Sequence, residues 1–256
     1  MSFQMAPIRL TPAVKFFLIS CVALFVIQQT GDRFLGTSLQ SWLALVPSGF
    51  VLSFKFWQIF TYVFLHGDVS HLVLNLLMLV FVGGELEVLW GTKRFLKYFF
   101  TCSTAAGLLY LFFQLVIWRD TGLNTPMVGA SGGIYGLLIA YGLIYSERTL
   151  LFMMIFPMKA RHFVLVLAAV EFFSTVFSTG AGGVLSGIAH LGGMAAGFVS
   201  LWLKASAKLK LKGKNSPLKK RTQSSHLKLV VNQSKSGGRP DNEDDDGGSG
   251  NPPIWH

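Results

Sequence analysis

Charge is what this sequence has least of. Asp, Glu, Lys and Arg make up 13% of its 256 residues, and hydrophobic residues make up 52%. A soluble domain carries about a quarter charged residues. The shortage is uneven: residues 204–256 hold 11 of the 22 Lys and Arg and 5 of the 12 Asp and Glu. The 203 residues before them are nearly charge-free, which excludes an ordinary soluble globule and points to a chain that crosses a membrane several times. Cysteine is also scarce. Cys21 and Cys102 lie in apolar runs and read as packing residues, not as a disulfide framework or a thiolate metal pair. The motif H-E-x-x-H is missing, so no zinc centre is expected, and no cofactor is expected either. No internal repeat is visible, which weighs against an inverted-repeat transporter. No small-x-small site follows the first apolar run, "FFLISCVALFVI" (16–27), so that run reads as a retained span and not as a cleaved signal.

What the sequence does have is six apolar runs. They predict spans over about 12–29, 69–86, 95–117, 131–146, 162–178 and 184–203. The fold class is therefore all-α: a polytopic membrane bundle of six transmembrane helices in residues 1–205. A polar tail follows over 206–256, Lys-rich, then Ser/Gly-rich, then "DNEDDDGGSG". It has little to bury and is expected to be disordered. The net charge of +10 raises the possibility of nucleic acid. The basic residues, however, sit at the ends of apolar runs and after the last one, where cytoplasmic segments collect them. No nucleic-acid partner is expected. With the N-terminus inside, inner segments hold 19 Lys and Arg, and outer segments hold only Arg33, Lys55 and Arg119. Both termini are thus expected in the cytoplasm. The missing Arg-rich presequence favours a bacterial cytoplasmic membrane. The outer loop 30–68 is rich in Trp, Phe and Leu and suits the membrane interface.

Polar groups inside spans are costly and mark function. Three stretches carry them. In "HGDVSHLVLNLL" (66–77), His71 and Asn75 are four apart and share a helix face; both can donate hydrogen bonds. In "VGASGGIYG" (128–136), Ser131 sits among glycines. From Ser131 to Tyr145 is roughly 22 Å of helix at 1.5 Å per residue, less than the ~30 Å of hydrocarbon. The serine then begins its helix below the surface, and the loop before it dips into the membrane. Such backbone is tolerated only beside protein or a wet cavity. In "SGIAHLGGMAAGF" (186–198), His190 adjoins the small-residue face of Gly193 and Gly197, which permits close helix approach. All three stretches fall at one depth. A nucleophile, a base and neutral donors in one layer fit acyl-transfer chemistry.

These stretches, in this order, resemble the rhomboid family of intramembrane serine proteases, over roughly residues 10–203. "GGELEVLWG" (83–91) is similar to the family's glycine-glutamate turn after the second span. The resemblance implies Ser131 as nucleophile and His190 as general base, a dyad, since no acid for a triad is found. It implies that Tyr135 packs on the His190 ring. His71, Asn75 and the Ser131 backbone N–H would form the oxyanion hole, and His66 would shape a water pocket. Gly129 and Gly132 would allow the tight turn, Gly193 and Gly197 the close helix contact, and Glu87 would be structural. Substrates would be single-span membrane proteins within the lipid bilayer. The glycines of "STGAGGVLSG" (178–187) suggest a hinge, with the fifth span as a gate. The family's Trp-Arg in the first outer loop is Trp57-Gln58 here. Two other readings remain: an inactive relative that only binds membrane substrates, and a His-based transporter.

Overall fold

In a computed structural model of the chain, the described residues are 10–31, 34, 36, 38–117, 123–152, 156–178 and 181–214. The fold is a helical membrane bundle. The first helix, α1 (Pro12–Thr30), starts with proline at its first position, where the missing N–H costs nothing. The aromatic loop that follows is not featureless. It folds into α2 (Leu39–Leu43), α3 (Pro47–Leu52), α4 (Gln58–Thr61) and a 3₁₀ turn (Tyr62–Phe64). Trp42, Phe54, Phe56, Trp57 and Phe60 stay exposed, as interfacial aromatics would.

The second span is α5 (Val69–Met78), a π-helical turn (Leu79–Gly83) and α6 (Gly84–Trp90). Residues 83–90 of the "GGELEVLWG" stretch are thus helix, and the turn falls at its last residue, Gly91, with φ +76°. The glycines fit the packing: a side chain at Gly83 would meet the Phe95 ring at 3.3 Å. The central span is α7 (Thr92–Val116). Its Phe95, Phe99, Cys102 and Ala106 are fully buried, with Phe17 of α1 at 4.5 Å from the Phe99 ring. Then come α8 (Ser131–Ile144), the antiparallel hairpin β1 (Thr149–Phe152) and β2 (Phe156–Lys159), α9 (Ala160–Phe177) and α10 (Ala181–Lys214).

Five of these segments are long and apolar enough to cross a membrane: Pro12–Thr30, Val69–Trp90, Thr92–Val116, Ala160–Phe177 and Gly183–Ala207; α8 is a shorter apolar helix of 14 residues. The chain is a multi-pass membrane protein of this kind. Two boundaries differ from expectation. The glycine stretch 178–187 is already helix from Ala181, so little of it is left as a hinge. The last helix runs to Lys214, past residue 205, because Ala, Lys and Leu in "KASAKLKLK" all favour helix. The rest of the tail, from 215, lies outside the described residues.

Two carboxylates in the first turn of α6 tie the bundle. Glu87 is buried and accepts from the Ala13 N–H at 2.9 Å, the Val14 N–H at 3.2 Å, the Thr11 hydroxyl, and the Thr92 hydroxyl at 2.6 Å. It satisfies donors that the first turn of α1 cannot use internally, and it places negative charge at that helix's positive end. Glu85 accepts from Arg148 and from the Tyr141 hydroxyl at 3.2 Å, joining α6 to the end of α8.

Candidate active site

The loop before Ser131 is stitched to protein along its described length. Ser48 N–H donates to the Leu123 carbonyl at 2.9 Å, and Leu45 and Met127 exchange two backbone bonds. Tyr110 Oη donates to the Thr125 carbonyl at 2.7 Å, and Gly129 N–H to the Tyr62 carbonyl at 3.0 Å. Non-helical backbone inside a membrane needs such partners. Gln58 supports the same region. Fully buried, it accepts from the Val46 N–H at 3.1 Å and donates to the Ser41 carbonyl at 3.2 Å. A neutral amide there closes loop backbone groups without needing a counter-charge.

Gly129 has φ +115°, a conformation that disfavours side chains. A Cβ there would come within 2.7 Å of the His71 ring and 3.7 Å of Ser131 Oγ. The glycine therefore lets the histidine and the serine border the same small space. His71 arrives there because Asp68 caps α5, accepting from the His71 N–H at 2.8 Å. Asp68 lies outside the span; the Ser70 hydroxyl and then the His71 N–H hold its carboxyl below the usual range. Asn75, buried one turn on, donates one of its two amide hydrogens to the His71 carbonyl at 3.0 Å. His66 precedes α5 and is fully buried, its ring 5.1 Å from that of His71. Among the described residues neither of its ring nitrogens completes a well-formed hydrogen bond, although the Phe64 backbone lies close enough to act on it. Burial, with His71 beside it, pushes the His66 imidazole down to about 4, so it is neutral at physiological pH.

Ser131 opens α8, is 8% exposed, and its Oγ lies 2.8 Å from His190 Nε2. The two come from helices that touch through glycine. A side chain at Gly193 would run into the Gly132 carbonyl; one at Gly197 would meet Gly136 Cα at 3.0 Å and Tyr98 Oη at 2.7 Å. Small residues thus face small residues on α8 and α10, the arrangement that brings helix backbones together. The Tyr135 ring stacks on the His190 ring, centroids 4.3 Å apart at 17°.

One contact was not foreseen. Where the sequence reading found no acid, Glu171 Oε1 of α9 lies 2.7 Å from His190 Nδ1, and Tyr135 Oη donates to Glu171 Oε2 at 2.8 Å. The signal was available: Glu171 is the one acidic residue within the apolar run 162–178, and an ionisable group there is functional by default. The structure thus brings Ser131, His190, Tyr135, His71, Gly129, Gly132, Gly193 and Gly197 together, with Asn75 and His66 beside them. Glu87 is apart, at the other end of the second span. Among the described residues, no group of three or more His, Cys, Asp or Glu side chains is placed to hold a metal ion.

Residues 53–207 match the family model described as Rhomboid domain. Rhomboid-related protein 3 of Homo sapiens is 33% identical over 130 residues, 50% of this chain and 28% of that protein. Rhomboid-like protease 3 of Toxoplasma gondii is 35% identical over 83 residues, 32% of this chain and 31% of that protein. RHOMBOID-like protein 1 of Arabidopsis thaliana is 29% identical over 162 residues, 63% of this chain and 38% of that protein. The chain spans about a third of the length of these curated relatives. All three are eukaryotic and lend no support to a bacterial origin.

Proposed function

Because the chain belongs to the Rhomboid family, we propose that it is an intramembrane serine endopeptidase. The observation that carries this reading is the 2.8 Å approach of Ser131 Oγ to His190 Nε2 across two helices locked by glycine. In the proposed reaction, His190 Nε2 takes the Ser131 proton while Oγ attacks a peptide carbonyl. The tetrahedral oxyanion is met by His71, by the free amide hydrogen of Asn75, and by the Ser131 N–H, which as a first-turn group has no intrahelical acceptor. Each donor is typically worth about 3 kcal/mol of barrier. His190 then gives its proton to the departing amine, and water, activated by the same nitrogen, releases the acyl-enzyme.

The substrates of this reading are single-span membrane proteins cut near the membrane face that holds Ser131, with both termini of the enzyme on the opposite face. A segment must leave helical geometry to present its carbonyl to Ser131, so helix-breaking and small residues near the cut favour cleavage.

The test is cleavage of a single-span reporter by purified protein in lipid. Wild type should cut, and Ser131→Ala and His190→Ala should lose at least about a thousandfold. Cleavage that survives Ser131→Ala sinks the reading. A folded wild type that binds reporters but cuts none supports a binding role instead.

A further inference from the structure

An acidic residue inside a span has to be compensated, and the described spans hold three. Glu85 has Arg148, and Glu87 has the first turn of α1 with two hydroxyls. Among the described residues, Glu171 has neither a Lys or Arg partner nor a helix end. Its carboxylate partners are His190 Nδ1 at 2.7 Å and Tyr135 Oη at 2.8 Å, and its side chain is only 15% exposed. As a mere tie between helices this is a costly choice, because a buried carboxylate against a neutral ring gains less than it loses in desolvation. A hydroxyl or amide would join α9 to α10 at lower cost.

The placement has a chemical use. A neutral imidazole carries one proton. A carboxylate facing Nδ1 accepts from it and so fixes the proton there, which leaves the Nε2 lone pair directed at Ser131 Oγ. That is the tautomer a base needs. When Nε2 takes the serine proton, the ring becomes a cation with an anion already in place beside it. Tyr135 serves twice: its ring stacks on His190, and its hydroxyl holds the second carboxylate oxygen.

We propose, resting on the protease reading above, that Glu171 is a positioning residue that completes a Ser131–His190–Glu171 triad. In acylation the moving proton runs from Ser131 Oγ to His190 Nε2 and on to the leaving amine; in deacylation the proton of the attacking water passes through the same nitrogen back to Ser131 Oγ. The Nδ1 proton stays on the ring, and Glu171 stays ionised throughout.

The experiment compares wild type with Glu171→Gln, Glu171→Ala and Glu171→Asp in lipid, alongside Ser131→Ala. The expected result is a kcat about 100-fold lower or more in Glu171→Gln and Glu171→Ala, with KM within about twofold. Glu171→Asp should recover part of the loss, and added formate should raise the rate of Glu171→Ala but not of wild type. Full kcat in Glu171→Gln overturns the proposal and leaves the protease reading standing. So does a loss that neither formate nor Asp relieves and that tracks a fall in thermal stability. Proton NMR of 15N-His-labelled protein separates the two ideas even if no reporter is cut. A downfield Nδ1–H resonance should be present in wild type and Ser131→Ala and lost in Glu171→Ala and His190→Ala. Its absence from wild type refutes the positioning role.

Discussion

At the scale of single residues, the site depends on what particular side chains cannot do. Gly129 cannot collide with His71 because it has no Cβ, and it holds φ +115° without strain. Gly129→Ala should therefore cost about 1–3 kcal/mol in backbone strain and push the His71 ring from its place. Thermal unfolding and kcat should both fall, kcat more. His66 makes a second prediction. Its imidazole titrates near 4 in the fold and near 6.5 when unfolded, so between these values the unfolded chain binds more protons. Stability is full above pH 6.5 and is lost as pH falls towards 4, by about 3 kcal/mol at most. A His66→Gln variant should show a flatter profile over that window. An unchanged slope would assign the acid sensitivity to other groups.

Several of these residues were legible in the sequence, because a polar group in an apolar run is conspicuous. Ser131, His190, His71 and Asn75 stood out for that reason. Glu171 stood out no less, but its meaning lies in a contact 19 positions along the chain and on another helix. Spacing within one span cannot reveal which helix faces it.

At the scale of elements, the contact of α8 with α10 sets the geometry. Gly132 and Gly136 face Gly193 and Gly197, so the distance from Ser131 to His190 is fixed by backbones in near contact. Gly197→Val would drive a methyl into Tyr98 Oη and Gly136. Overpacking of this kind costs about 1–3 kcal/mol, and a displacement near 1 Å at the dyad costs about 100-fold in rate. The expected outcome is a folded protein, melting modestly earlier, with kcat reduced about 100-fold. A kcat near that of wild type would mean that the helices part without moving the dyad. The spans were readable from the length of their apolar runs. The hairpin of β1 and β2, the short helices of the aromatic loop and the π-turn after Met78 were not. The aromatic loop leans on backbone partners far along the chain, at Leu123 and Met127, while the hairpin and the π-turn are local irregularities that apolar runs do not mark.

At the scale of the whole molecule, polar ties are spread unevenly. Glu87 joins α1, α6 and the start of α7, and Glu85 joins α6 to the region after α8. Removing the Glu87 carboxylate strands buried N–H groups of α1, each worth about 1–3 kcal/mol. Glu87→Ala should lower the melting temperature sharply, while Glu87→Gln, which keeps one acceptor, should lower it less. Ser131 and His190 themselves would be untouched. Equal losses from both variants would show that space-filling, not hydrogen bonding, is what Glu87 supplies.

The Glu87 clamp sits about four helical turns from His71 along the second span, and this separation gives the bundle a fulcrum. Like tongs riveted at one end, helices anchored there are free to part near His71 without losing their common tie. On gradual heating, the free end should loosen first, so that, on the protease reading proposed above, reporter cleavage stops at a lower temperature than the one at which the helices melt.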